Sequence, residues 1–139
     1  MSVMIEYRTG IEDITVDELQ GFFVGWKSPP SPEEHLAILS SSRHVVLAYD
    51  TDAGQVAGFV NALGDGIRFA YIPMLEVLPT YQRRGIGREL MKRILTVLED
   101  IPCIDLICDP HMQDYYTRFG LVKSCGMVIR KQMAGTGDR

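Results

Sequence analysis

Arg83, Arg84, Gly85 and Gly87 share one short run, Gln82-Arg83-Arg84-Gly85-Ile86-Gly87. Their types and spacing suit the binding of an anion. Two guanidinium groups offer forked N–H donors that match phosphate oxygens. Two glycines leave the backbone without Cβ atoms, so a phosphate can approach the main-chain N–H groups closely. The next residues repeat apolar side chains at helical spacing: Ile86, Leu90, Met91, Ile94, Leu95 and Leu98 on one side, with Arg88, Glu89, Lys92, Arg93 and Glu99 on the other. The run therefore opens a helix. A helix's first turn carries unpartnered N–H groups and the positive end of the dipole. Cations are disfavoured there, so Arg83, Arg84 and Arg88 call for an anionic ligand. The plainer alternative is a tight strand-to-helix turn with solvated arginines. Two common phosphate loops are excluded. No Gly-Lys pair occurs in the chain, as a P-loop requires, and Leu90 stands where a dinucleotide fingerprint needs its third glycine.

The elements that must position this loop are readable around it. A long strand over 67–78 leads in, and Pro79 stops its pairing because proline has no N–H. Pro73 predicts a bulge inside that strand. Earlier in the chain, 5–8 reads as a first strand. Thr15 to Glu18 forms a capping box that predicts a helix carrying Val16, Leu19, Phe22 and Phe23. Ser31-Pro32-Glu33-Glu34 forms a second capping box and opens a helix with Leu36, Ile38 and Leu39. Strands follow over 44–49 and 55–63, joined by a turn at 50–54. After the central helix, 104–108 reads as a strand that needs a right-handed crossover to lie parallel to its predecessor. A short helix runs from Asp109-Pro110 to Phe119, ended by Gly120. Residues 122–123 and 127–131 predict a closing hairpin, and 134–139 a flexible polar tail. Residues 1–133 thus form one domain. His35 and His44 read as surface-helix and strand-start residues.

The run Gln82 to Gly87 resembles the Gln/Arg-x-x-Gly-x-Gly/Ala loop of the GCN5-related N-acetyltransferases. Downstream, Tyr115-Tyr116-Thr117-Arg118-Phe119-Gly120-Leu121 is similar to that family's aromatic-Tyr-x-x-x-Gly-aromatic signature. The resemblance is firm over residues 69–131 and rests on element order before that. It implies an α/β fold: a mixed, mostly antiparallel twisted sheet with a splayed central parallel strand pair and flanking helices. It also implies acetyl-CoA as cosubstrate, with Gln82, Arg83, Arg84, Gly85, Ile86 and Gly87 holding the pyrophosphate. The main chains of Leu75 and Val77, beside the splay, would meet the pantetheine arm, with the Val77 N–H at the thioester carbonyl. Tyr116 matches the general acid that protonates the leaving thiolate, while Tyr115 reads as a core aromatic. Asp109-Pro110-His111 replaces an Asn that many members place on the pantetheine.

The general base is open at this level. Glu76 is the only carboxylate of the long strand and is the first candidate, although it points to the opposite face from Leu75 and Val77. Asp105, Asp109, His111 and water are the alternatives. Trp26, in a loop of Gly, Lys and Pro, is the candidate for lining an acceptor pocket. The expected reaction is direct acetyl transfer to an amine of a small molecule or exposed peptide. The alternative is a non-catalytic acyl-CoA-binding module of the same fold. A homodimer is expected from the family's habit.

The bounds agree. A net charge of −4 argues against nucleic acid or an anionic membrane as partner. No window of 18 apolar residues predicts a membrane span. Cys103, Cys108 and Cys125 lack metal spacing, so no metal is implied, and they read as thiols in a reducing cytoplasm.

Overall fold

Period-two alternation sorts the strand residues onto two apolar faces. In β2 (His44–Asp50), Val45 and Leu47 join one cluster while Val46 and Ala48 join the other. The computed structural model describes residues 4–131, so the expected tail at 134–139 lies outside the described residues. Five strands form one sheet in the order β1-β2-β3-β4-β5, with β1 at Ile5–Thr9, β3 at Gln55–Gly64, β4 at Phe69–Val77 and β5 at Cys103–Leu106. The first three pairings are antiparallel and β4–β5 is parallel. The mixed α/β class expected from the sequence is the one observed.

Three helices flank the sheet: α1 (Pro32–Ser41), α2 (Ile86–Val97) and α3 (Gln113–Thr117). Ser31 caps α1 by accepting from the Glu34 N–H at 3.1 Å, with Pro32 at the first helical position. The stripe of α2 buries Ile86, Leu90, Met91 and Ile94 against Val46, Ala57, Val60 and Ile72. On the other face, Leu19, Phe23 and Leu39 pack on Val45, Leu47, Val56 and Phe59.

Three expectations change. The Thr15 capping box forms, with the Thr15 N–H donating to Glu18 Oε1 at 2.8 Å, but only a 3-10 turn over Val16–Leu19 follows. Gln20 is extended, and Gly21 (φ 90°) and Phe23 (φ 65°) are left-handed. This folds Leu19 and Phe23 into the core, and the backbone of 23–24 finds its hydrogen bonds on Glu76 instead of in a helix. The closing hairpin is absent: residues 121–130 are irregular, and the parallel pair therefore stands at the sheet edge among the described residues. His35 is buried, not on the surface, at 0% exposure.

His35 sits among Phe22, Phe23 and Phe59, with ring centroids 4.4–5.3 Å away, and neither ring nitrogen has a hydrogen-bond partner. Burial pushes its pKa down to about 4 from 6.5. Between those values the unfolded chain binds the proton and the folded chain does not. Stability is thus full above pH 6.5 and falls as pH drops from 6.5 to 4, by at most ~3 kcal/mol. Denaturant midpoints of the wild type should fall across that window, and His35→Leu should flatten the slope there. An unchanged slope would sink this account.

Candidate active site

The site begins with one extra residue in β4. Asn61 pairs with Met74 and Leu63 with Tyr71, so two residues of β4 (Ile72 and Pro73) oppose one of β3. Pro73 lacks the N–H a regular ladder would need there. The parallel pairing with β5 ends just before it, at Ile72 opposite Leu106. Beyond that point β4 continues to Val77 paired with β3 alone, and the sheet opens on its other side. Leu78 N–H donates to Ala57 O at 2.9 Å. By strand alternation, Leu75 and Val77 turn their N–H and C=O groups into the opening. The Val77 carbonyl accepts from Gln82 Nε2 at 3.0 Å, which ties the loop to the strand.

The loop forms the floor of that opening. A 3-10 turn over Pro79–Tyr81 follows β4, Arg83 is left-handed (φ 66°), and Gly85 (φ 80°) is the cap of α2. No side chain caps this helix, so the first-turn N–H groups remain free. A Cβ on Gly85 would meet nothing within 4 Å. Gln82, Arg83, Arg84 and Arg88 are exposed, and none of the three arginines makes an ion pair among the described residues. Bare backbone, free N–H groups and guanidinium groups without ion pairs, Arg84's lying over the Tyr81 ring, fit a pyrophosphate.

Tyr81, legible in the sequence only as part of the approach to the loop, holds that loop from below. Its hydroxyl donates to Asp50 Oδ2 at 2.5 Å, and both residues are buried. Asp50 also accepts from the Asp52 and Ala53 N–H groups through Oδ1, at 3.0 and 3.1 Å. The hydrogen bond to Asp50 pushes the Tyr81 phenol up to about 12, and the same bond holds the Asp50 carboxyl below its usual range. The β2–β3 turn is thereby pinned to the loop that precedes α2. Tyr81→Phe leaves the buried Asp50 Oδ2 without its phenol donor and should lower folding stability by about 1.5–3 kcal/mol, the scale of one charge-assisted hydrogen bond. Denaturant unfolding of the variant checks this, and an unaltered midpoint would show that the pin does not hold the loop.

Tyr116 and Tyr115 lie on α3, rings 5.1 Å apart. Tyr116 packs partly buried against the α2-side core, where burial first, then Cys108 and Tyr115, push its phenol up to about 12. The Tyr115 hydroxyl lies 3.4 Å from where a Gly87 Cβ would stand, with Val77 Cγ2 at 3.7 Å. Tyr115 is thus not simply a core aromatic: its phenol abuts the α2 N-terminus. Asp105, Asp109 and His111 are exposed.

Glu76 and Trp26 belong to the sheet's other face. Both Glu76 oxygens accept from the Phe23 N–H at 2.9 Å, and Oε2 from the Val24 N–H at 3.4 Å. Burial raises the Glu76 pKa against the lowering effect of those N–H groups. Trp26 packs on Phe23 (centroids 5.0 Å apart) and, with Pro29, Glu34 and Ile129, lines a cleft of about 690 Å³. So the loop, Leu75, Val77 and Tyr116 come together on the α2 side, while Glu76 and Trp26 meet through the 23–26 segment on the other.

The family model for the acetyltransferase (GNAT) family matches residues 11–121, from before the 3-10 turn over Val16–Leu19 to just past α3. The chain belongs to the GNAT family. The crystal structure of a protein from Deinococcus radiodurans R1, proposed there to be an acetyltransferase, is 44% identical, with a TM-score of 0.89 over 97% of this chain and 94% of that one. The uncharacterized N-acetyltransferase ycf52 of Gracilaria tenuistipitata var. liui is 31% identical over 102 residues, covering 71% of this chain and 56% of that protein. The chain thus spans little more than half of that relative. The aminoglycoside N-acetyltransferase AAC(6')-Iy, solved in complex with CoA, shares the GNAT fold at 13% identity, with a TM-score of 0.66 over 94% of this chain and 96% of that one. Among the described residues of this GNAT chain, no helix is long and apolar enough to cross a membrane, and no group of side chains is placed to hold a metal ion.

Proposed function

We propose that this chain transfers an acetyl group from acetyl-CoA directly to an amine of a small molecule or an exposed peptide. The observation that carries the reading is the uncapped, glycine-bared N-terminus of α2 facing the opening that the β4 bulge creates. Acetyl-CoA supplies the acyl group and leaves as the thiol. The chain's own residues do the rest. The N–H groups of Ile86 and Gly87, with Arg83 and Arg84, hold a pyrophosphate. Gln82 fixes the loop to Val77, and Ile86 anchors it in the core. The Val77 N–H and the Leu75 main chain, facing the opening, orient the arm and polarise the carbonyl to be attacked. Tyr116, kept protonated by its raised pKa, donates toward the leaving sulfur.

Glu76 takes the proton of the amine, directly or through one water. Its raised pKa moves it toward the range a base at neutral pH needs. Its bonds to Phe23 and Val24 also set the loop on which Trp26 faces the acceptor. The AAC(6')-Iy complex supports the CoA assignment by fold alone.

Calorimetric titration with acetyl-CoA, CoA and dephospho-CoA tests the reading. One saturable site per chain is expected, with dephospho-CoA still bound because it retains the pyrophosphate. Absence of binding at millimolar ligand would remove the proposal. Binding without thiol release across a broad panel of amines would favour the non-catalytic module.

A further inference from the structure

The cleft beside Trp26 carries mostly charge of one sign. Lys27 enters it from the loop before α1, and Arg130 and Lys131 from the segment after α3. Glu34, in the first turn of α1, is the one carboxylate of the lining among the described residues. Three cations thus stand against one anion, in a chain whose net charge is −4. None of Lys27, Arg130 and Lys131 makes an ion pair among the described residues. Like charges gathered in this way repel one another, and an entering anion relieves that repulsion.

Trp26 and Ile129 add apolar surface to the same lining. A volume of about 690 Å³ is that of a small-molecule site. The cleft also adjoins the proposed base. The Trp26 ring packs on Phe23 with centroids 5.0 Å apart, and the Phe23 N–H donates to Glu76 at 2.9 Å. A molecule held in the cleft is therefore held by the segment that bonds Glu76.

We infer that the acceptor is a small amine that also carries an anionic group, a carboxylate or a phosphate, on a planar or apolar body. Lys27, Arg130 and Lys131 hold the anion, with Arg130 offering its forked donors, and Trp26 packs on the body. The same cations select against amines that bring no anion, because these add positive charge to a cleft that is already positive. They also disfavour the ammonium form of the bound amine, which leaves more of it free to attack. The inference rests on the acetyl-transfer reading only in calling this amine the acceptor.

Trp26 is the only tryptophan of the chain, so its fluorescence reads the cleft directly. The probes are matched pairs, phenylalanine against phenethylamine and O-phosphoethanolamine against ethanolamine, with spermidine as a polycation. Each is titrated with CoA present and absent. In at least one pair the anionic member is expected to bind about tenfold tighter than its partner, the scale of a charge-assisted contact, and spermidine is expected to bind more weakly than that member. The pair that discriminates separates carboxylate from phosphate. Lys27→Gln with Arg130→Gln should bring the ratio down toward one. Should that variant fail to fold, salt decides in the wild type: the anionic member should lose affinity with ionic strength and its partner should not. Equal binding within both pairs, tighter binding of spermidine, a ratio that survives both substitutions, or no fluorescence response to any probe overturns the proposal. Thiol release from acetyl-CoA is measured on the same pairs. Discriminating binding without thiol release would keep the anion site and remove the acetyl-transfer reading. Thiol release at equal kcat/KM from both members of each pair would do the reverse.

Discussion

Replacing Arg84 and Gly85 together by alanine is expected to weaken CoA binding by about two orders of magnitude, the combined scale of a charge-assisted contact and a blocked backbone approach. The argument is local. Arg84 is exposed and makes no ion pair among the described residues; it lies over the Tyr81 ring, 5.7 Å from its centroid, and its removal takes one of several favourable influences from the buried Asp50 carboxylate, whose bonds to Tyr81, Asp52 and Ala53 remain. The space over Gly85 is empty to 4 Å, so the new methyl group meets no protein atom and instead occupies the room proposed for the anion. The cost to folding is the left-handed φ of 80° that alanine must adopt, about 1 kcal/mol. A melting curve separates that cost from the binding loss. Titration with CoA and dephospho-CoA should show the same loss for both, because the pyrophosphate is common to them. A folded variant with unchanged affinity would remove the pyrophosphate assignment from this loop.

Tyr116→Phe is expected to lower kcat by about 100-fold or more, the usual share of a positioned acid, while the Kd for acetyl-CoA stays within a few-fold. The wild-type phenol is held near 12, so it keeps its proton through the accessible alkaline range. Any alkaline fall in rate below about pH 10 then belongs to another group. Tyr115→Phe is the informative comparison, because the Tyr115 hydroxyl stands against the Gly87 position at the α2 N-terminus. It should act on cofactor affinity more than on turnover. The reverse pattern, with Tyr116→Phe active and Tyr115→Phe inactive, would transfer the acid role to Tyr115.

What could be read in the sequence was whatever local spacing decides. The stripe from Ile86 to Leu98, the Ser31 cap and the Pro73 bulge each follow from near neighbours, and each is present. What could not be read depends on partners far along the chain. The helix expected through Phe22 and Phe23 gives way because Glu76, 53 residues on, supplies acceptors for the Phe23 N–H. The Tyr81–Asp50 bond spans 31 residues and leaves no local mark. His35 has the polarity of a surface residue and the surroundings of a core one, which only the packing of Phe22, Phe23 and Phe59 reveals. In 122–131 the alternation reports strand propensity and says nothing of the neighbour.

The opening beside β4 presents the main-chain groups of Leu75 and Val77, whereas the cleft across the sheet is lined by side chains of 26–30, Glu34 and 129–131, its loop held to β4 through one carboxylate. Peptide groups are the same whatever residue is encoded, so substitutions within β4 act weakly on what its main chain offers, whereas substitutions across the sheet change the cleft directly. On the proposed assignment, substitutions at 24–30 change the acceptor while the β4 main chain keeps its contacts to the donor. Within a lineage, differences in acceptor preference should then map to that loop, and Glu76 marks the boundary that such changes must respect.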